Sequence, residues 1–237
     1  MLPPPAGAGS SAPPPRPSAP PCEAPGAWPW TEPASATSSL AFVVAGAWIL
    51  VAARRTDGAP GRTTLGALTV LIGVGSVVQH GPAPAWNPVV HDPPLFGALA
   101  LVAADAVAEL RSRPVRARWW VVPTLAEVGL AAAAPAASVV AQVLAAGAAV
   151  GATLLRARAR PAVRRRLLAA AAVLGVGALV GELSRPGRPL CAPGGWWDAG
   201  LSGHAVWHVL AAGALVVLAP AVGSRLTPAT PPGSGTR

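Results

Sequence analysis

Apolar residues run through this chain in seven blocks, parted by short stretches that carry Arg, Pro or Gly. The blocks cover residues 35–53, 63–80, 94–110, 119–134, 136–155, 167–183 and 204–222. A helix needs roughly 20 apolar residues to cross a bilayer core, with about 17 as the lower limit, and each block approaches that length. The pattern therefore predicts an all-α polytopic membrane protein, a bundle of seven transmembrane helices. Only Pro135 and a few small residues separate the fourth and fifth blocks, so a six-span chain follows if those two merge. Residues 1–33 hold Pro, Ala, Ser and Gly with no apolar run, which predicts a disordered tail. Residues 34–223 form the membrane domain, and 224–237 form a second disordered tail. No apolar core lies close to the N-terminus, as a cleavable signal peptide requires, so the first span acts as its own insertion signal.

Orientation follows from the distribution of basic residues. The loops 54–62, 111–118 and 156–166, with the C-terminal tail, hold fifteen Arg, against Arg16, Arg185 and Arg188 on the other side. Basic loops stay cytoplasmic, which predicts an outside N-terminus, a cytoplasmic C-terminus and an odd number of spans. Trp119 with Trp120, and Trp196 with Trp197, suit the two interfaces. A multi-pass protein of the plasma membrane is the expected location.

Composition narrows the function classes. With 52% hydrophobic and 11% charged residues, the chain has the balance of a protein dissolved in lipid. All basic residues are Arg and lie between apolar stretches. A nucleic-acid module would instead cluster them on a folded face beside stacking aromatics, so no nucleic-acid partner is expected.

The chain has four histidines, His80, His91, His204 and His208, and this topology puts all of them in one layer at the outer ends of helices. Ionisable groups at membrane depth are costly and commonly face the bundle interior for a purpose. His204 and His208 stand four apart, on one helical face, where two imidazoles can reach one metal ion. Ser76 and His80 share that spacing. If the second and seventh spans pack together, three nitrogens meet and a fourth tetrahedral position stays open for water, the layout of a catalytic zinc site. Asp92 lies near the same layer and could take a proton from that water, and Ser76 could bond the water or a developing oxyanion. Other readings stay open at this point. Asp92 before Pro93 and Pro94 suits a helix N-cap, Ser76 beside Gly73 and Gly75 suits helix packing, and the His pair suits interhelical hydrogen bonding. Among the remaining acids, Glu109 is expected to pair with Arg111 or Arg113. Asp105, Glu127 and Glu182 have no partner legible in the sequence, and Asp105 lies about 20 Å along a helix from Asp92, too far for one metal centre.

Three segments together resemble a known family: Gly-Val-Gly-Ser76-Val-Val-Gln-His80, the His91-Asp92 pair, and Gly203-His204-Ala205-Val206-Trp207-His208, the last preceded by Cys191-Ala-Pro. In order and helix placement they are similar to the alkaline ceramidases and the wider CREST superfamily of membrane hydrolases, which includes the adiponectin receptors. The similarity runs from about Cys22 through the last span. It implies Zn2+ held by His80, His204 and His208, with Ser76 and Asp92 contacting the zinc-bound water. It also implies hydrolysis of a ceramide-like N-acyl lipid to a fatty acid and an amine, in a cavity open to the bilayer. No ligand role carries over to His91, which is expected to support the site or the interface. Cys22 and Cys191 both fall on the outer, oxidising side in this topology, and the resemblance points the same way, to a disulfide between them; two unpaired residues are the alternative. The family also carries an acidic N-terminal segment that binds calcium. Glu23 and Glu32 match part of it, but Pro, Ala and Ser35 stand at its other positions, so Ca2+ dependence is doubtful here.

The leading expectation is a zinc-dependent membrane hydrolase of lipid amide bonds, acting on a membrane lipid with no obligate protein partner. The alternative is a non-enzymatic seven-helix lipid receptor or sensor with a structural zinc. A haem-binding electron carrier is a third class, which the His204 and His208 spacing fits less well than one shared ion.

Overall fold

The computed structural model describes residue 23 and residues 29–55, 60–191 and 202–223. Both expected tails, Cys22, Trp196 and Trp197 lie outside those residues apart from Glu23 and 29–33. Among the described residues the chain is helical without strands, in the order α1 (Pro33–Ser38), α2 (Leu40–Arg54), α3 (Pro60–His80), α4 (Asn87–Leu110), α5 (Arg118–Ala133), α6 (Pro135–Ala159), α7 (Pro161–Leu183) and α8 (Gly203–Leu218). Among the described residues, six stretches are long and apolar enough to cross a membrane: 33–54 (α1 with α2), α3, α4, α6, α7, and 203–221 (α8 with the short 3-10 turn after it). That points to a membrane protein. α5, at 16 residues, falls just short of the roughly 17-residue lower limit for a span.

Local chemistry explains several boundaries. α5 and α6 do not merge, because Pro135 opens α6 and Ala134 before it is extended at φ −147° and ψ 69°. Proline has no N–H to continue a helix and disfavours helical backbone in the residue before it. Pro161 divides α6 from α7 in the same way after Arg160. α4 departs from expectation, since it starts at Asn87, with Pro88 in its first turn and Pro93 and Pro94 inside. Asp92 is therefore not an N-cap but a residue within the helix, and its carboxylate is not committed to backbone amides.

α3 packs between α2 and α4, α8 lies against α7 and α2, and α5 and α6 pack on α4. The core is built from Phe42, Ile49, Leu65, Leu68, Ile72, Leu101 and Leu167 among others. Large apolar side chains such as Val44, Trp48, Leu125, Leu144 and Leu179 point outward, as a lipid-facing surface requires. Two glycines bring the helices of the site close. A Cβ on Gly75 would meet Val90 O, with His91 Cα at 2.8 Å, and one on Gly203 would stand 2.5 Å from Ser184 Cβ. Helices approach this closely only where side chains are small.

At the end of the bundle away from the histidines, a buried ionic cluster ties the helices together. Arg156 on α6 bonds Asp105 at 2.9 Å and pairs with Glu109, both on α4, and donates to Ala221 O at 2.7 Å. Asp105 accepts from Gly223 N at 3.1 Å, and Arg160 Nε stands 3.3 Å from Glu109. Glu109 thus pairs with Arg156 and Arg160 rather than with the neighbouring Arg111 or Arg113, because the short way across to α6 is closer than the turn that follows α4. Glu182 pairs with Arg185 and Arg188 at the surface.

Candidate metal centre

The three histidines singled out by spacing meet in space. His80 ends α3, and His204 and His208 lie in the first two turns of α8. One nitrogen from each lies within 4.8 Å of the others, and the Nε2 atoms of His80 and His204 stand 3.3 Å apart. Two nitrogens bound about 2.05 Å from one tetrahedral zinc would be separated by roughly 3.3 Å. The His80 and His204 pair stands at that separation, and with the third imidazole within 4.8 Å the donor set suits one shared cation.

Neighbouring groups fix which ring nitrogens are available. His80 Nδ1 stands 2.6 Å from Glu32 Oε2. A carboxylate only accepts, so Nδ1 carries the hydrogen and Nε2 keeps its lone pair. That hydrogen bond holds the Glu32 carboxyl below its ordinary range, against the opposite pull of burial. His208 Nδ1 lies 3.1 Å from Ser35 O and 2.9 Å from Ser38 Oγ. The carbonyl also only accepts, which leaves the lone pair of His208 on Nε2, the nitrogen available to a cation. Outer partners of this kind orient metal-binding imidazoles and raise their basicity.

The backbone enforces the arrangement. Glu32 N donates to His80 O at 2.8 Å and Thr31 N to Gly81 O at 3.1 Å, so the strand of chain entering α1 is sewn to the end of α3. Glu23 accepts from Ala34 N, Ser35 N and Ser35 Oγ at the start of α1. Ser202 caps α8, accepting from Ala205 N at 3.3 Å, a standard way to satisfy an otherwise orphaned donor. Glu23 and Glu32, the two acids matched to a calcium segment, are thus occupied by α1 and by His80.

Ser76 is 1% exposed, one turn before His80, and accepts from Ser39 Oγ at 2.8 Å. Ser39 in turn lies 3.3 Å from His208 Nδ1. The hydroxyls of Ser35, Ser38, Ser39 and Ser76 form a polar shell under the histidines. The sequence reading missed the first three as site residues; the run Ser35-Ala-Thr-Ser38-Ser39 at the head of an otherwise apolar span was the available signal. Asp92 is buried at the start of α4, where the close approach at Gly75 sets α4 against α3 beside Ser76. Its Oδ1 lies 2.7 Å from His91 Nδ1, and its Oδ2 accepts from Ser138 Oγ at 2.9 Å. His91 therefore supports Asp92. Cys191 ends a 3-10 turn at Pro189–Cys191, no cysteine among the described residues is free, and its expected partner Cys22 falls outside them.

No family model matches the chain, and no curated protein sequence matches it either.

Proposed function

We propose that this chain is a zinc-dependent hydrolase of N-acyl lipids, embedded in the membrane by seven spans with its N-terminus outside. One observation carries the reading above all: three imidazole nitrogens gather within 4.8 Å of one another, one pair of them 3.3 Å apart, and two of the rings have Nδ1 committed to outer acceptors. A zinc ion bound there would supply Lewis acidity and lower the pKa of a coordinated water toward about 7.

The chain's own residues account for the remaining needs of amide hydrolysis. Asp92 is a buried carboxylate held by His91 and Ser138, suited to take a proton from water and return it to the departing nitrogen. Ser76 presents a hydroxyl beside the metal ligands, suited to bond the carbonyl oxygen as charge develops on it. Glu32 and the serine shell orient the imidazoles. A substrate amide reaching this layer from the bilayer carries its chains among the outward apolar side chains, which favours a lipid over a soluble amide. α5 completes the seventh span if the bilayer thins by a residue or two at its ends, and the Arg distribution then sets the cytoplasmic side. Cys22 and Cys191 are proposed to bridge, holding the segment that carries Glu23 near the site. The outer leaflet side of a plasma membrane is the setting in which that bridge is stable.

The test is metal analysis of purified protein combined with turnover of a fluorescent ceramide and related N-acyl lipids. About one zinc per chain with release of fatty acid supports the reading. Stoichiometric zinc without turnover of any N-acyl lipid selects the receptor alternative, and absence of bound metal after metal-replete purification refutes both.

A further inference from the structure

Glu127 on α5 is 2% exposed and Asp92 on α4 is 8% exposed, and one hydroxyl lies between them. Ser138 Oγ, itself wholly buried at the start of α6, is 2.9 Å from Asp92 Oδ2 and within hydrogen-bonding distance of Glu127 Oε1. Gln142 Nε2 donates to the same oxygen at 3.1 Å. A serine hydroxyl carries one hydrogen and two lone pairs. It can donate to one of the two carboxyl groups and no more. The second carboxyl can bond Ser138 only by donating to it, and so must carry a proton. Reversing the Gln142 amide does not remove the requirement, since Ser138 would then donate to the amide oxygen and both carboxyls would need protons.

Partner counting places the proton. Asp92 receives hydrogen bonds on both oxygens, from His91 Nδ1 at 2.7 Å and from Ser138, which is the environment of an anion. Among the described residues Glu127 has only Ser138 as a side-chain partner. Two buried carboxylates sharing one hydroxyl without a cation between them would also leave a charge uncompensated in a low-dielectric interior.

We propose that Glu127 is held as a neutral carboxylic acid that donates to Ser138, and that Ser138 in turn donates to Asp92. Glu127 is thereby a positioning residue: it fixes the Ser138 hydrogen toward Asp92 Oδ2 and keeps Asp92 a carboxylate able to accept a proton. All bonds in the chain are then satisfied, with Ser138 accepting from Glu127 and Gln142 and donating once. The effect on turnover rests on the hydrolase reading above; the proton on Glu127 does not.

The decisive experiment is infrared spectroscopy of the full-length protein, wild type against Glu127→Gln, in H2O and D2O. The difference spectrum is expected to contain a protonated-carboxyl C=O band that shifts on deuteration. A difference containing only carboxylate bands overturns the proposal. Labelling with 13C-glutamate identifies the residue type: the band lost in Glu127→Gln shifts if a glutamate carries the proton, and an unshifted band places it on an aspartate and overturns the proposal. With an active enzyme, Glu127→Gln, whose amide can still donate to Ser138, is expected to turn over an N-acyl lipid close to the wild-type rate. Glu127→Leu is expected to lose about tenfold in kcat with its zinc content unchanged. Wild-type kcat in Glu127→Leu removes the positioning role. Should wild type turn over no N-acyl lipid, the hydrolase reading falls and the infrared band alone decides the proton.

Discussion

Glu32 Oε2 stands 2.6 Å from His80 Nδ1, so a residue from the chain entering α1 fixes the ring of the histidine that ends α3. A carboxylate behind a histidine orients the ring and raises its basicity as a metal ligand. Glu32→Gln keeps the size of the side chain but removes its charge. Zinc affinity, measured by competition with a chelator, is expected to fall by about tenfold to 100-fold; an unchanged affinity would remove Glu32 from the site.

The three imidazoles predict a simple metal balance. Wild type should hold about one zinc per chain, and His80→Ala and His208→Ala should each lose it, because two remaining nitrogens hold zinc far more weakly than three. Elemental analysis of the purified proteins checks this, and zinc retained in either variant contradicts the assigned ligands.

Asp92 and Ser76 should separate from the ligands by their phenotype. Neither is needed to hold the ion, so Asp92→Asn and Ser76→Ala are expected to retain zinc. Asp92→Asn should lower turnover of an N-acyl lipid by about 100-fold or more, the usual contribution of a positioned acid–base group. Loss of zinc in Asp92→Asn would make it a ligand instead.

The ionic cluster at the other end predicts a stability effect. Arg156 and Asp105 are almost wholly buried, and removing one member of such a pair leaves an uncompensated charge, at a cost of about 3–5 kcal/mol. Arg156→Met should therefore lower the unfolding temperature sharply in thermal melts in detergent. Adding Asp105→Asn and Glu109→Gln to it should restore part of the loss, since the stranded charges are then gone. A melt unchanged by Arg156→Met would show the cluster to be hydrated.

Gly75 tests the helix contact beside the site. A Cβ there meets the Val90 carbonyl and stands 2.8 Å from His91 Cα, both backbone groups that cannot move alone. Gly75→Ala is expected to destabilise the fold by about 1–3 kcal/mol and to weaken zinc binding by shifting α3. Chelator competition on the folded variant reads the second effect.

Much of this protein was legible in its sequence, and the reason is periodicity. Apolar blocks of bilayer length are a one-dimensional signal, as are the prolines that separate α5 from α6 and α6 from α7. The i, i+4 spacing of His204 and His208 fixes their shared face in any helix, so the two could be assigned to one site without a structure. His80 could be added only on the condition that α3 and α8 approach each other.

Relationships between distant segments were decided by the tertiary structure. Asp92 before two prolines suits an N-cap, yet α4 begins five residues earlier at Asn87 and carries Pro93 and Pro94 inside it, where each proline leaves the carbonyl four residues back without its helical donor. Glu109 reads as the partner of the next arginines in the chain, but α6 runs closer than the following turn and delivers Arg156 and Arg160. Glu32 reads as part of an incomplete calcium segment, and Glu127 as an acid with no partner. Each finds His80 or Ser138 only because helices far apart in sequence pack side by side. Hydropathy and spacing determine which helices form and which faces are polar; which polar groups then meet depends on helix contacts at Gly75 and Gly203, where the absence of a side chain sets the distance.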